Sequence, residues 1–233
     1  MKINKIILSL SASFLIMGHS CSFSKYSYFS QYKQDKYIHE NFFGHKKNGT
    51  FVEIGASDGI KISNTLFFEQ YLEWDGICVE PMPHFFKQLE KNRSCICIEG
   101  CIADFNGTAK FLQVHGYANM LSGLANYYDP RHIQRIESEI RSHGGKKEFT
   151  EVQCYTLESI LNKYNISSID FLSIDTEGNE YSILKSIDFD KIFIDVICVE
   201  NNYNTKNIKL LLEKKGYKFI TKIGSDEIYK KLS

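Results

Sequence analysis

The stretch F-V-E-I-G-A-S-D-G, residues 51–59, decides the fold. Phe51, Val52 and Ile54 form a short apolar and β-branched run, the composition of a buried strand. Gly55 and Gly59 bracket a tight turn, after which apolar residues resume at helical spacing. Strand, glycine turn and helix make the first unit of a nucleotide-binding α/β sheet, where a ligand approaches backbone that carries no Cβ. Glu53 and Asp58 would repel a pyrophosphate. They suit a ligand with a positive centre and free hydroxyls, and S-adenosylmethionine carries both a sulfonium and an ammonium. The second glycine follows the first by four residues rather than two, which departs from the G-x-G-x-x-G dinucleotide pattern and disfavours a nicotinamide oxidoreductase.

Working outward, the chain alternates strand and helix. Strands are expected at 77–79, 94–99, 108–114, 169–174 and 193–199, with helices at 35–43, 64–72, 84–91, 157–164, 180–186 and 206–215. This β-α-β order implies right-handed crossovers and a parallel sheet. Two further strands at 217–222 and 227–231, joined by Gly224-Ser225, predict a terminal hairpin. The least regular stretch is 115–148. Its middle, 130–142, has isoleucines at three- and four-residue spacing, so a helix is expected there. Arg131, Arg135, Arg141, Lys146 and Lys147 around it read as a solvated face or as a lid over the site.

The 233 residues suffice for one α/β domain, and a hydrophobic fraction of 43% argues against disorder. Zero formal net charge argues against nucleic-acid binding through a basic surface. Residues 1–21 read as a separate segment: Lys2 and Lys5, an apolar run over 6–18, then Gly18 and Ser20 before Cys21. This is the layout of a secretory or membrane-targeting signal, and it predicts an exported or membrane-associated protein, with a cytoplasmic one as the alternative. The domain is then 22–233. Cys95, Cys97 and Cys101 form a C-x-C-x3-C cluster without a histidine at zinc-finger spacing, so buried thiols or one disulfide are expected rather than a metal site.

Ligands of open α/β sheets bind at the carboxyl ends of the strands. Glu53, Glu80, Asp175 and Glu200 all stand there, and Asp104 comes just past the third strand. Several carboxylates converging on one rim repel one another unless a ligand uses them. Glu80 is placed to accept hydrogen bonds from the two hydroxyls of a ribose.

The segments S-Q-Y-K-Q-D (30–35), F-V-E-I-G-A-S-D-G-I-K-I-S-N-T (51–65), W-D-G-I-C-V-E-P (74–81), T-L-E-S-I-L (156–161), I-D-F-L-S-I-D-T-E-G-N-E (169–180) and the tail from 199 to 231 resemble the FkbM family of S-adenosylmethionine-dependent methyltransferases. The resemblance implies a seven-stranded, Rossmann-like class I methyltransferase sheet, mostly parallel with an antiparallel C-terminal strand and helices on both faces. It implies cofactor contacts from Glu53, Gly55, Asp58, Gly59, Asn64 and Glu80, with Asp104 near the adenine. It sets Asp175, Glu177 and Glu180 at the junction of cofactor and substrate, and Gln34 and Asp35 over the pocket. Glu200 joins the junction as the acidic end of the fifth strand.

The expected reaction is O-methylation of a sugar or similar hydroxylated metabolite, a small-molecule or glycan acceptor. Asp175 is the candidate base, with His84, His115 and His132 as alternatives. A divalent cation held by Asp175 with Glu177 or Glu200 is a variant that the spacing does not demand. The competing class is an exported binding module that keeps the fold without catalysis, since S-adenosylmethionine is made in the cytosol.

Overall fold

The structure, a computed structural model, describes residues 26–232, so the signal-like stretch 1–21 lies outside the described residues. Helix α1 (Gln34–Ile38) continues into a π-helical turn, His39–Phe43. Then come β1 (Thr50–Ile54), α2 (Leu66–Leu72), β2 (Asp75–Glu80), α3 (Pro83–Asn92) and β3 (Ile96–Glu99). The middle of the chain holds β4 (Cys101–Ile102), β5 (Gly107–His115), β6 (Gly123–Leu124), α4 (Pro130–His143) and β7 (Lys146–Tyr155). The last third runs α5 (Leu157–Lys163), β8 (Ser168–Ile174), α6 (Glu180–Ser186), β9 (Phe193–Glu200), α7 (Lys206–Lys214), β10 (Tyr217–Ile223) and β11 (Asp226–Lys231).

Seven strands form the main sheet in the order β10-β11-β9-β8-β1-β2-β3. All neighbours are parallel except β11, which runs antiparallel between β9 and β10. The expected architecture is therefore present, antiparallel C-terminal strand included. Residues alternate between the two faces with the period of a strand. Val52, Ile54, Ile77, Val79, Leu172 and Ile174 enter one apolar core, while Phe51, Cys78, Phe171 and Val196 enter the other. Both faces are thus covered, as a parallel sheet requires.

A second sheet, β4-β7-β5-β6, is absent from the expectation. Its long pair is β5 with β7, antiparallel over nine residue pairs from Gly107↔Cys154 to His115↔Lys146. β7 went unread because its sequence, K-K-E-F-T-E-V-Q-C-Y, shows no continuous apolar face, and most of it is exposed. Helix α4 forms as its pattern predicts. Asp129 caps it by accepting from the Arg131 amide, Pro130 occupies the first turn, and Gly144 follows its end. Thr156 likewise caps α5 by accepting from the Ser159 amide.

The cysteines of the 95–101 cluster do not converge. Cys95 lies 3.6 Å from Cys78, sulfur to sulfur, whereas Cys101 enters a separate apolar cluster with Cys154. The six described cysteines are free thiols.

Candidate functional site

The site forms where β1, β2 and β8 end. The Gly55 and Ala56 amides both donate to the Val79 carbonyl, at 2.9 and 3.0 Å, which ties the glycine turn to β2. On the other side the Asp175 amide donates to the Ile54 carbonyl at 3.0 Å. Gly55 has φ +86°, a left-handed backbone that favours glycine. A cavity opens above these strand ends, lined by Gly55, Ser57, Asn64, Glu80, Asp175 and Glu177. Its far wall comes from the second sheet and the strands' exits, with Met82, Phe85, Cys101 and Leu124. Three residues without a glycine's freedom hold left-handed backbones on its wall, Ser57 at φ +49°, Ile62 at φ +60° and Glu177 at φ +59°. Such strain persists where the surrounding structure fixes it, typically at ligand sites.

Glu80 is buried at the cavity wall. Its two oxygens accept from the Ser57 amide at 2.9 Å and the Met82 amide at 2.8 Å, and each retains a further lone pair. Burial pushes its carboxyl up to about 7, against the pull of those two amides. Glu53 also lines the cavity, with three donors on its Oε2 and one on its Oε1. It accepts from the Ser63 and Thr65 hydroxyls, the Asn64 amide and Arg93. Its task in this structure is to hold the 63–65 loop. Asn64 donates to the Ser173 hydroxyl at 3.0 Å, and its buried Oδ1 has no partner.

The remaining expected residues sit further off. Asp58 caps the turn by accepting from the Ile60 and Lys61 amides. Gly59, at φ +80°, packs against α3, where a Cβ would stand 2.7 Å from Leu89. Asp104 is exposed and accepts from the Tyr127 hydroxyl at 2.6 Å. None of these three lines the cavity. Nor do Gln34 and Asp35: Gln34 donates to Asp226 at 2.7 Å, and Asp35 accepts from the amides of Phe29 and Ser30.

At the end of β8 and β9, Asp175, Glu177 and Glu200 bring one oxygen each within 4.8 Å of one another. Three carboxylate oxygens at that spacing could ligate a divalent cation. Burial pushes the Asp175 carboxyl up to about 7, helped by the charges of Asp226 and Glu180 and opposed by a hydrogen bond with Glu200. Burial and the neighbouring Asp175 hold Glu177 and Glu200 well above the usual carboxylate range. Glu180 serves the local backbone, accepting from the Thr176 and Gly178 amides at 2.9 Å. A second cavity lies on the β8–β9 side, lined by Tyr127, Tyr128, Tyr181, Tyr203, Asn202 and Glu200, and Glu177 faces both cavities. Of the candidate histidines, buried His132 comes within 3.6 Å of Glu177 and binds the Leu121 carbonyl. His84 packs against Phe85 with the two rings tilted, and His115 pairs with Glu148 away from the cavity.

The Methyltransferase FkbM domain family model matches residues 53–219, most of the described chain. The chain belongs to the FkbM methyltransferase family. Among solved structures, methyltransferase FkbM from Methylobacillus flagellatus KT aligns at 10% identity and TM-score 0.50, over 87% of this chain and 48% of that one. This chain thus spans about half the length of that relative. A methyltransferase from Pyrococcus furiosus aligns at 15% identity and TM-score 0.38, over 84% and 81% of the two chains. Precorrin-6y C5,15-methyltransferase from Geobacter metallireducens aligns at 9% identity and TM-score 0.43, over 88% and 91%. No curated protein matches the sequence.

Membership of the FkbM family implies S-adenosylmethionine as methyl donor, and the cavity can be tested for fit. Asn64 Oδ1 and Asn179 Oδ1 are buried acceptors without partners on residues that line it. A ligand carrying an ammonium and an amino-purine supplies donors of the kind they lack. Glu80 offers spare lone pairs to a pair of hydroxyls. The residues present therefore fit the cofactor. The FkbM domain also relies on Arg93, which the sequence reading passed over. Its fully buried side chain pairs with Glu53 at 3.1 Å and Glu69 at 2.6 Å and donates to Thr65. The one signal for it in the sequence is a cation standing between an amphipathic helix and a strand.

Proposed function

We propose that this FkbM-family methyltransferase methylates a hydroxyl oxygen of a small hydroxylated acceptor, a sugar or similar metabolite, with Asp175 as the base. The observation that carries the reading is the position of Asp175. It lines the first cavity, its carboxyl is raised to about 7, and it adjoins the carboxylates that border the second cavity. Bound S-adenosylmethionine supplies an electrophilic methyl carbon and a good leaving group. The protein then has to orient the acceptor, exclude water and take one proton. Glu80 and the 55–57 turn hold the nucleoside end, and Asn64 accepts from the ammonium. The acceptor enters from the β8–β9 side, where tyrosine rings and Asn202 offer flat apolar surface beside polar groups. With the donor bound, Asp175 would take the proton of the acceptor hydroxyl as that oxygen is methylated. A base near 7 is half ionised at neutral pH, the range in which general-base catalysis works best.

Labelled-methyl transfer to a panel of monosaccharides and small polyols tests the reading. Label in an ether linkage supports it; label only on nitrogen or carbon nucleophiles overturns it. The family match makes methyl transfer, rather than binding without catalysis, the activity to assay. We also propose that residues 1–21 direct export or membrane association; mass spectrometry of the mature N-terminus checks this, cleavage near Cys21 supporting it and an intact Met1 on cytosolic protein overturning it.

A further inference from the structure

Cys101 and Cys154 are register partners in the parallel pairing of β4 with β7. Neighbouring strands lie about 4.8 Å apart, inside the Cα span that a disulfide needs. Both side chains enter one apolar cluster with Met82, Ala103, Phe111 and Leu124, so they stand on the same face of the second sheet. The Cys154 thiol donates to the Val152 carbonyl at 3.9 Å. Cys154 is wholly buried, whereas Cys101 keeps 8% of its surface and lines the first cavity. It stands near enough for the Glu80 charge to act on it. Cys101 thus brings the pair to the wall of the cavity assigned to the cofactor.

We propose that Cys101 and Cys154 form a reversible disulfide when the cofactor cavity is empty, and that bound cofactor protects them. The protection half of the proposal rests on the cofactor reading above; the disulfide half does not. With glutathione disulfide as oxidant, the Cys101 sulfur attacks one glutathione sulfur and releases the first glutathione thiolate. Cys154 then attacks the Cys101 sulfur of the mixed disulfide and releases the second. Two protein thiols are oxidised, one glutathione disulfide is reduced to two thiols, and the two protons pass to those thiols or to solvent. Cys154 and burial hold the Cys101 thiol well above its ordinary range, while the Cys154 thiol is lowered, so the first attack is the slow step and the closing attack the favoured one.

The experiment uses the full chain incubated with glutathione disulfide, with and without S-adenosylhomocysteine, followed by peptide mapping without reduction. The expected product is a Cys101–Cys154 linked peptide, with the intact mass lowered by two hydrogens. With S-adenosylhomocysteine at about a hundred times its dissociation constant, its formation should slow about a hundredfold. Cys154→Ser should stop at a stable glutathione adduct on Cys101. A wild-type chain that stops at that adduct, or that links Cys78 to Cys95 while Cys101 stays free, overturns the disulfide. Equal rates in the two arms overturn the protection. Thermal unfolding of the same samples then shows whether S-adenosylhomocysteine bound at all, which tells a failed coupling from a failed cofactor reading.

Discussion

A Cβ placed on Gly55 would lie 1.8 Å from the carbonyl oxygen of Asp175. The exit of β1 and the exit of β8 therefore touch through bare backbone, and the glycine turn and the acidic strand end form one rigid corner.

Gly55→Ala should break that corner. The substitution meets backbone rather than a flexible side-chain tip, and it adds strain at φ +86°. A loss of at least about 2 kcal/mol is expected from strain and steric overlap together. Urea unfolding measures it, and cofactor affinity should fall in whatever fraction remains folded.

Asp175→Asn should lower kcat by about 10²- to 10⁴-fold, the usual contribution of a positioned base. Cofactor affinity should change little, because the amide keeps the shape of the side chain. In the wild type, activity should rise with pH through about 7, as Asp175 gives up its proton. The rise should be absent from the variant's residual rate. Comparable losses in kcat and cofactor affinity would remove Asp175 from the role of base.

Glu80 links pH to stability. Its carboxyl releases the proton at about 7 in the folded chain, against an ordinary 4.5. Between those values the folded state holds more protons than the unfolded one, so stability falls as pH rises through the window. The expected decline is on the order of 3 kcal/mol for this group, and Asp175 adds to it in the same direction. Glu80→Gln should flatten the slope in pH-dependent denaturation. Cofactor affinity should run the opposite way and strengthen up to pH about 7, since ribose hydroxyls bond best to the ionised carboxylate.

Arg93→Met should cost about 3–5 kcal/mol, because Glu53 would be left buried without its cation. The 63–65 loop should loosen with it, so Asn64 loses its place at the cavity and cofactor affinity weakens. Pairing the change with Glu53→Gln should recover part of the stability, and a double-mutant cycle in denaturant checks the coupling.

Tyr203→Ala should raise the acceptor KM with cofactor affinity nearly unchanged. Tyr203 lines only the β8–β9 cavity, where its ring lies 4.4 Å from the Arg131 guanidinium and its hydroxyl 3.2 Å from His132. Separate titrations of the two substrates distinguish this outcome from a general loss of structure.

The main sheet was legible because its central strands are apolar on both faces and several end in acidic residues. Phe51–Ile54 and Ile169–Ile174 carry that signal in composition alone, and position along the strand puts Glu80 and Asp175 at the cavity. Distance from a strand end was less reliable. Asp58 and Asp104 follow their strands closely but turn toward a local amide pair and a tyrosine. Glu53 was legible as a wall residue, yet not as one paired with a buried cation, because that cation comes from 40 residues away. The second sheet escaped since β7 is stabilised by its antiparallel partner rather than by an apolar face of its own.

The second sheet enters the chain between β3 and β8, at the crossing from one half of the main sheet to the other. That one inserted stretch borders both cavities: Phe111, Asn119 and Leu124 line the first, and Tyr127 and Tyr128 line the one on the β8–β9 side. A replacement anywhere along it therefore alters the surroundings of the strand ends while leaving the order of the main sheet as it is.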